Sequence, residues 1–126
     1  MLADCKGVAF VNVADLDGAR AFYEGVLGLP VLSQDEFALT ARAGGTPLRI
    51  AKAPVVHPAP YTVMGFEVDD IAGKVRGLAA RGVVFERYAF FGEAQDGTGV
   101  WTAPGGARVA WFKDPDGNLL SLAQMA

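Results

Sequence analysis

Side chains equipped for chemistry are scarce in this chain. Its 126 residues include one histidine, His57, and one cysteine, Cys5. A divalent metal site needs three or four lone-pair donors converging at about 2.0–2.2 Å, and a single imidazole cannot supply them. His57 also stands in a proline-rich stretch, residues 53–60, where it reads as a linker residue. Cys5 has no histidine partner to activate its thiol and reads as an inert terminal cysteine. There is no Gly-x-Ser-x-Gly elbow and no Gly-x-x-x-x-Gly-Lys phosphate loop. Gly105-Gly106 reads as a hairpin turn. Ser121 lacks a nearby histidine base, which makes its hydroxyl a hydrogen-bonding group rather than a nucleophile. Asp114 and Asp116 look like paired carboxylates, but Asp114-Pro115-Asp116-Gly117 explains both as a turn: proline presets φ at its second position and glycine closes it.

Composition narrows the classes further. Hydrophobic residues make up 52% and charged residues 20%, with 11 Lys+Arg against 14 Asp+Glu for a net charge of −3. That apolar content excludes a disordered chain, and the length supports a single domain, residues 1–126, with a full core. Without clustered Lys and Arg, nucleic acid is not an expected partner. No run of 18 apolar residues predicts a membrane span. The N-terminus lacks the apolar segment of a signal peptide, and one cysteine cannot form an intramolecular disulfide. Both point to a cytoplasmic setting.

The elements that must position these residues follow from periodicity. Residues 6–13 read as a strand. Asp15 is placed to cap a helix carrying Leu16, Ala19, Phe22, Tyr23, Val26 and Leu27, with Gly28 as its stop. Residues 29–33, 37–43 and 47–51 read as three strands. After the linker come a strand at 61–68, a helix capped by Asp70 and ended by Gly82, and a short strand at 83–86. Residues 87–97 form an irregular excursion, and strands at 99–103, 108–113 and 118–124 follow. Gly73 and Gly77 each weaken the second helix by about 1 kcal/mol relative to alanine. A shift of 55 residues lays Val13-Ala14-Asp15-Leu16-Asp17-Gly18 on Val68-Asp69-Asp70-Ile71-Ala72-Gly73. The chain is therefore two strand–helix–three-strand units, about 1–54 and 60–126, and neither covers both faces of its small sheet alone.

With the repeat in place, residues 13–29 (Val-Ala-Asp-Leu-Asp-Gly-Ala-Arg-Ala-Phe-Tyr-Glu-Gly-Val-Leu-Gly-Leu) resemble the first-unit signature of the vicinal oxygen chelate superfamily. Residues 112–122 (Phe-Lys-Asp-Pro-Asp-Gly-Asn-Leu-Leu-Ser-Leu) resemble its closing hairpin. That superfamily includes glyoxalase I, bleomycin-resistance proteins, fosfomycin-resistance enzymes and extradiol dioxygenases. The resemblance implies an α+β fold in which two βαβββ units form a U-shaped eight-stranded sheet. Helices cover its convex side and a ligand its concave side. It also implies a homodimer, with units pairing either within a chain or by exchange between chains.

Aligned by motif, the superfamily's metal-ligand positions fall on Val8, Arg49, Val63 and Ser121. Two valines, a protonated guanidinium and one hydroxyl do not make a donor set. The expectation is a fold kept without its metal and with no cofactor.

Strand alternation, oriented by the resemblance, lists the residues facing the concave side. The ligand-binding candidates among them are Phe10, Asn12, Arg49, Tyr61, Glu67, Val109, Trp111 and Ser121. The opposite parity (Ala9, Val11, Val13, Met64, Phe66, Val68, Phe112, Leu120, Leu122) is apolar, as a helix-covered face should be. Arg49 either clamps an oxyanion through its planar fork or pairs with Glu67 or solvent. Trp101 faces the cleft or the helices according to whether its hairpin loop has three or four residues. The aromatic excursion Tyr88-Ala89-Phe90-Phe91 belongs on the cleft mouth, a partner chain or the core. The implied function is metal-free binding of a small organic ligand, an aromatic or amphipathic compound that can be anionic. The alternative is a superfamily enzyme working without the metal, with Glu67 as base and Arg49 stabilising an oxyanion.

Overall fold

Both halves of the chain build the same mixed sheet by the same route. The computed structural model describes residues 1–126 and resolves two compact units, Met1–His57 and Pro58–Ala126, so the boundary falls inside the proline-rich stretch. In the first unit β1 (Ala9–Val13) leads into α1 (Leu16–Arg20), and β2 (Val31–Gln34), β3 (Ala38–Ala43) and β4 (Thr46–Lys52) follow. The sheet order is β1-β4-β3-β2, with β1 and β4 parallel. In the second unit β5 (Met64–Glu67), α2 (Ile71–Ala80), β6 (Trp101–Thr102), β7 (Arg108–Lys113) and β8 (Leu119–Gln124) give the order β5-β8-β7-β6, again with the outer β5 parallel to β8. The class is α+β, eight strands in two four-stranded sheets with their helices.

The repeat seen in the sequence is a repeat of caps. Asp15 Oδ2 accepts from the Gly18 N–H at 2.9 Å, and Asp70 Oδ1 accepts from the Gly73 N–H at 3.1 Å. Each satisfies an orphan donor of the first helical turn. Glycine three residues after the cap leaves the carboxylate its space, since a Cβ at Gly73 would collide with the Asp70 carboxylate. The expected gain from alanine at Gly73 is therefore corrected, whereas a Cβ at Gly77 meets nothing within 4 Å. Gly77→Ala should raise stability by about 0.5–1 kcal/mol through helix propensity, and Gly73→Ala should lower it despite the same propensity. Chemical denaturation of the two variants checks both signs.

Burial follows the period of two in β1 and β4, while in β8 Leu119, Leu120, Ser121 and Leu122 are all buried and in β3 Ala38 is buried beside Leu39. In the first sheet Val11, Val13, Leu39, Ala41, Leu48 and Ile50 are buried with Leu16, Ala19 and Tyr23 of the helical segment. In the second, Met64, Ala110, Phe112, Leu120 and Leu122 are buried with Ile71 and Val75 of α2. The opposite faces carry the candidate site residues.

Several elements differ from the sequence expectation, beginning with the strands expected at 6–13 and 99–103, which shrink to Ala9–Val13 and Trp101–Thr102. The first helix stops being α-helical at Arg20 and continues as a π-helix, Ala21–Val26, in which the Leu27 N–H reaches Phe22 O at 2.9 Å. Tyr23 within it is wholly buried. The strand expected at 61–68 pairs only over Met64–Glu67, because β8 begins at Leu119 and offers no partner beyond the Val63 N–H to Leu119 O bond. Residues 83–86 form no strand; one bridge, Phe85 to Phe112, and the Glu86 N–H to Trp111 O bond attach them to β7. The edge of β7 is shared there, since β6 already pairs with Arg108 and Val109. Within the excursion, Ala89–Ala94 is a 3₁₀ segment broken at Gly92. No helix is long and apolar enough to cross a membrane.

Candidate functional site

Ladder register decides which candidates share a face, because residues directly paired across strands point the same way. On the first sheet Phe10 pairs with Arg49 and Arg49 with Thr40, which pairs with Ser33. The next row is Asn12, Ala51 and Ala38. Phe10 is 60% exposed and Val8 45% exposed, while Arg49 is partly buried. An exposed phenyl ring beside a guanidinium is a combination suited to a molecule with an apolar body and an anionic end. Arg49 takes no part in the Arg20–Glu24 and Lys113–Glu86 ion pairs. Its charge is felt by Asp35, whose carboxyl is held below the usual range. The N–H groups of Phe37 and Ala38 do most of this against desolvation, and Arg49 adds to it. Thr40, beside Arg49, went unnoticed in the sequence; the length of the β3–β4 hairpin is the signal that would have found it.

On the second sheet one row is Gly65, Ser121 and Trp111, and the next is Glu67, Ala123, Val109 and Trp101. Trp101 is thereby placed on the face of Trp111. Ala103 and Ala107 close the hairpin through the Ala103 N–H to Ala107 O bond, which leaves a three-residue loop and keeps the parity. Glu67 is exposed at the β5 edge, whereas Ser121 is buried. Tyr61 lies outside any strand and is 66% exposed, so alternation does not assign its face. Trp111 does not present a bare ring. Phe91 stacks on it at 5.4 Å and Tyr88 meets it edge-on at 5.5 Å.

The excursion that brings these rings in is tied at its ends by Gln95, a buried side chain with every polar group used. Its Oε1 accepts from the Tyr88 N–H at 2.9 Å, and its Nε2 donates to Glu86 O at 2.8 Å and Gly99 O at 3.0 Å. Asp96 follows, accepting from the Thr98 N–H, the Thr98 hydroxyl and the Val100 N–H at 2.7–3.1 Å. Desolvation pushes its carboxyl up, but these bonds outweigh it and hold the group below its ordinary 3.8. A carboxyl depressed on folding adds stability above its unfolded value, and that stability is lost as pH falls through the folded one. Denaturation midpoints should therefore fall below about pH 4. Asp96→Asn, which keeps an acceptor but not the charge, should flatten that acid limb; an unaltered limb would contradict the linkage.

A cavity of about 310 Å³ adjoins Tyr88, lined by Pro58, Ala59, Pro60, Glu86, Lys113, Gly117 and Leu119. Glu86 and Lys113 form an ion pair at 3.1 Å within that lining. Burial, with the Glu86 charge adding to it and Lys113 opposing, raises the Tyr88 phenol above its ordinary value. Burial thus favours the neutral phenol, which can donate a hydrogen bond.

A divalent metal does not fit the residues present. The implied ligand positions hold two aliphatic side chains, Val8 and Val63, a cation, Arg49, and one buried hydroxyl, Ser121. No three His, Cys, Asp or Glu side chains gather anywhere as a metal-holding group. His57 is exposed in the linker.

Solved structures share this fold along nearly the whole chain. A glyoxalase family protein from Enterococcus faecalis superposes with a TM-score of 0.75 at 20% identity, over 98% of this chain and 99% of that one. A genomically encoded fosfomycin resistance protein from Listeria monocytogenes gives 0.74 at 15% identity, over 95% and 92%. Lactoylglutathione lyase from Agrobacterium tumefaciens gives 0.72 at 20% identity, over 96% and 93%. No curated protein matches the sequence significantly. The sequence pattern of one family does match, over residues 7–122: the chain belongs to the Glyoxalase/Bleomycin resistance protein/Dioxygenase superfamily.

Proposed function

We propose that this chain is a metal-free member of its superfamily that binds and sequesters a small organic molecule with an aromatic or amphipathic body and an anionic group. The observation that carries the reading is the first sheet's open face, where exposed Phe10 pairs with Arg49, a cation outside the Arg20–Glu24 and Lys113–Glu86 pairs. Arg49 occupies a position where metal-dependent relatives need a neutral or anionic donor, and its fork supplies two parallel N–H groups to a carboxylate instead. Phe10 offers the ligand's body a surface to cover. Binding requires no bond to be broken. The working form is a homodimer in a reducing, cytoplasmic setting, in keeping with a lone, exposed Cys5.

Calorimetric titration with a panel of aromatic carboxylates and their neutral amides tests this. Saturable binding is expected for acids and not for amides, with Arg49→Gln weakening it by about tenfold or more. Equal binding of acids and amides, or an unaffected Arg49→Gln variant, would overturn the anion assignment. Elemental analysis finding one divalent ion per chain would overturn the metal-free reading. Sedimentation at micromolar concentration reports the dimer.

A further inference from the structure

Trp101 and Trp111 stand on one face of the second sheet with ring centroids 6.0 Å apart, and what lies on them is another ring of the same chain. Phe91 is near-parallel to both, at 4.6 Å and 16° from Trp101 and at 5.4 Å and 20° from Trp111. The segment that delivers it, Ala89–Ala94, has no buried residue, and Phe90 beside it is 80% exposed. Its backbone hydrogen bonds stay local: the Phe91 N–H to Tyr88 O at 3.0 Å and the Gln95 N–H to Gly92 O at 3.4 Å. Ring contacts hold the middle of the segment while Gln95 fixes its ends to Glu86, Tyr88 and Gly99. Directly after Phe91, Gly92 has φ 55° and ψ −133°, a conformation restricted to glycine. An anchored loop with a glycine pivot beside its one inserted ring can withdraw that ring without unfolding.

We infer that Phe91 is an intramolecular occupant of a ring-binding site: the Trp101–Trp111 platform takes a planar aromatic ligand, whose ring replaces that of Phe91. The inference rests on the small-molecule reading above and adds a site and a ligand shape to it. A single phenyl must straddle two indoles, whereas a fused bicyclic ring covers both and so competes with larger contact area. Neither row of this face brings a charged side chain between the indoles, so flatness rather than charge selects the ligand here. Because ligand and Phe91 contend for one surface, the wild-type affinity is lowered by whatever the Phe91 stack contributes.

Calorimetry with 2-naphthol, and with decahydro-2-naphthol as its non-planar counterpart, tests the competition. Phe91→Ala should bind 2-naphthol about tenfold more tightly than wild type, the size of one or two lost stacking contacts. Decahydro-2-naphthol should gain nothing. Adding Trp101→Ala to Phe91→Ala should abolish the gain. Weaker or unchanged 2-naphthol binding in Phe91→Ala would overturn the inference, as would no binding to either protein. Should Phe91→Ala unfold, Phe91→Leu, which keeps apolar volume without a flat ring, carries the same expectation and the same failure. No binding of aromatic carboxylates by wild type, with the 2-naphthol gain of Phe91→Ala intact, would sink the earlier reading alone; carboxylate binding that Arg49→Gln weakens, with no 2-naphthol gain in Phe91→Ala, would sink this one alone.

Discussion

Phe112→Ala should lower stability by about 3–5 kcal/mol, a large share of the roughly 5–15 kcal/mol that holds a domain of this size. Phe112 is fully buried, pairs with Leu120 on β8, and meets the Phe85 ring edge-to-face at 5.6 Å. Removing the ring opens a cavity under α2 and forfeits that aromatic pair. The neighbouring residue supplies the control. Trp111 points to the other face and is only partly buried, so Trp111→Ala should cost less, about 1–2 kcal/mol. Every assignment of a candidate residue to the open face depends on this alternation. Urea denaturation giving equal losses for the two variants would show the register of β7 to be wrong.

The second large effect is expected at the closing turn. Asp114 is buried, its Oδ1 accepting from the N–H groups of Asp116 and Asn118 at 2.9 Å each and its Oδ2 from Asn118 Nδ2 at 2.8 Å. Asp114→Ala leaves those donors without their acceptor in the turn that fixes β7 against β8, and should cost about 3 kcal/mol. Asp116 is only partly buried, so Asp116→Ala should cost less than Asp114→Ala. Thermal unfolding of the two variants separates a structural turn from a pair of working carboxylates. Two comparable, large losses would contradict the turn reading.

These expectations mark how far the sequence reaches. The two-unit plan was legible because local chemistry dictates it. Asp15 and Asp70 cap helices wherever the next residues are helical, each accepting from the N–H of the glycine three residues on. The apolar parity of Val11, Leu120 and Phe112 followed from period two, and the resemblance said which face it was. What failed was set by partners rather than by propensity. Residues 61–63 have β-forming side chains but almost no strand to pair with, and residues 83–86 share an edge that β6 has taken. No local signal announces either fact.

The candidate site divides in the same way. Its donor chemistry was legible at the level of residue types: the one histidine stands in a linker, and Val8, Arg49, Val63 and Ser121 at the implied ligand positions do not make a donor set. Which rings meet was a tertiary matter. Trp101 joined the face of Trp111 because its hairpin loop closes over three residues, a parity that the Pro104-Gly105-Gly106-Ala107 run leaves open. Phe91 came to rest on both indoles because a buried Gln95 clamps the ends of its segment from residues 86, 88 and 99. Side-chain identity follows from sequence; contact between segments far apart along the chain depends on loop length, pairing and clamping, and those exist only once the chain has folded.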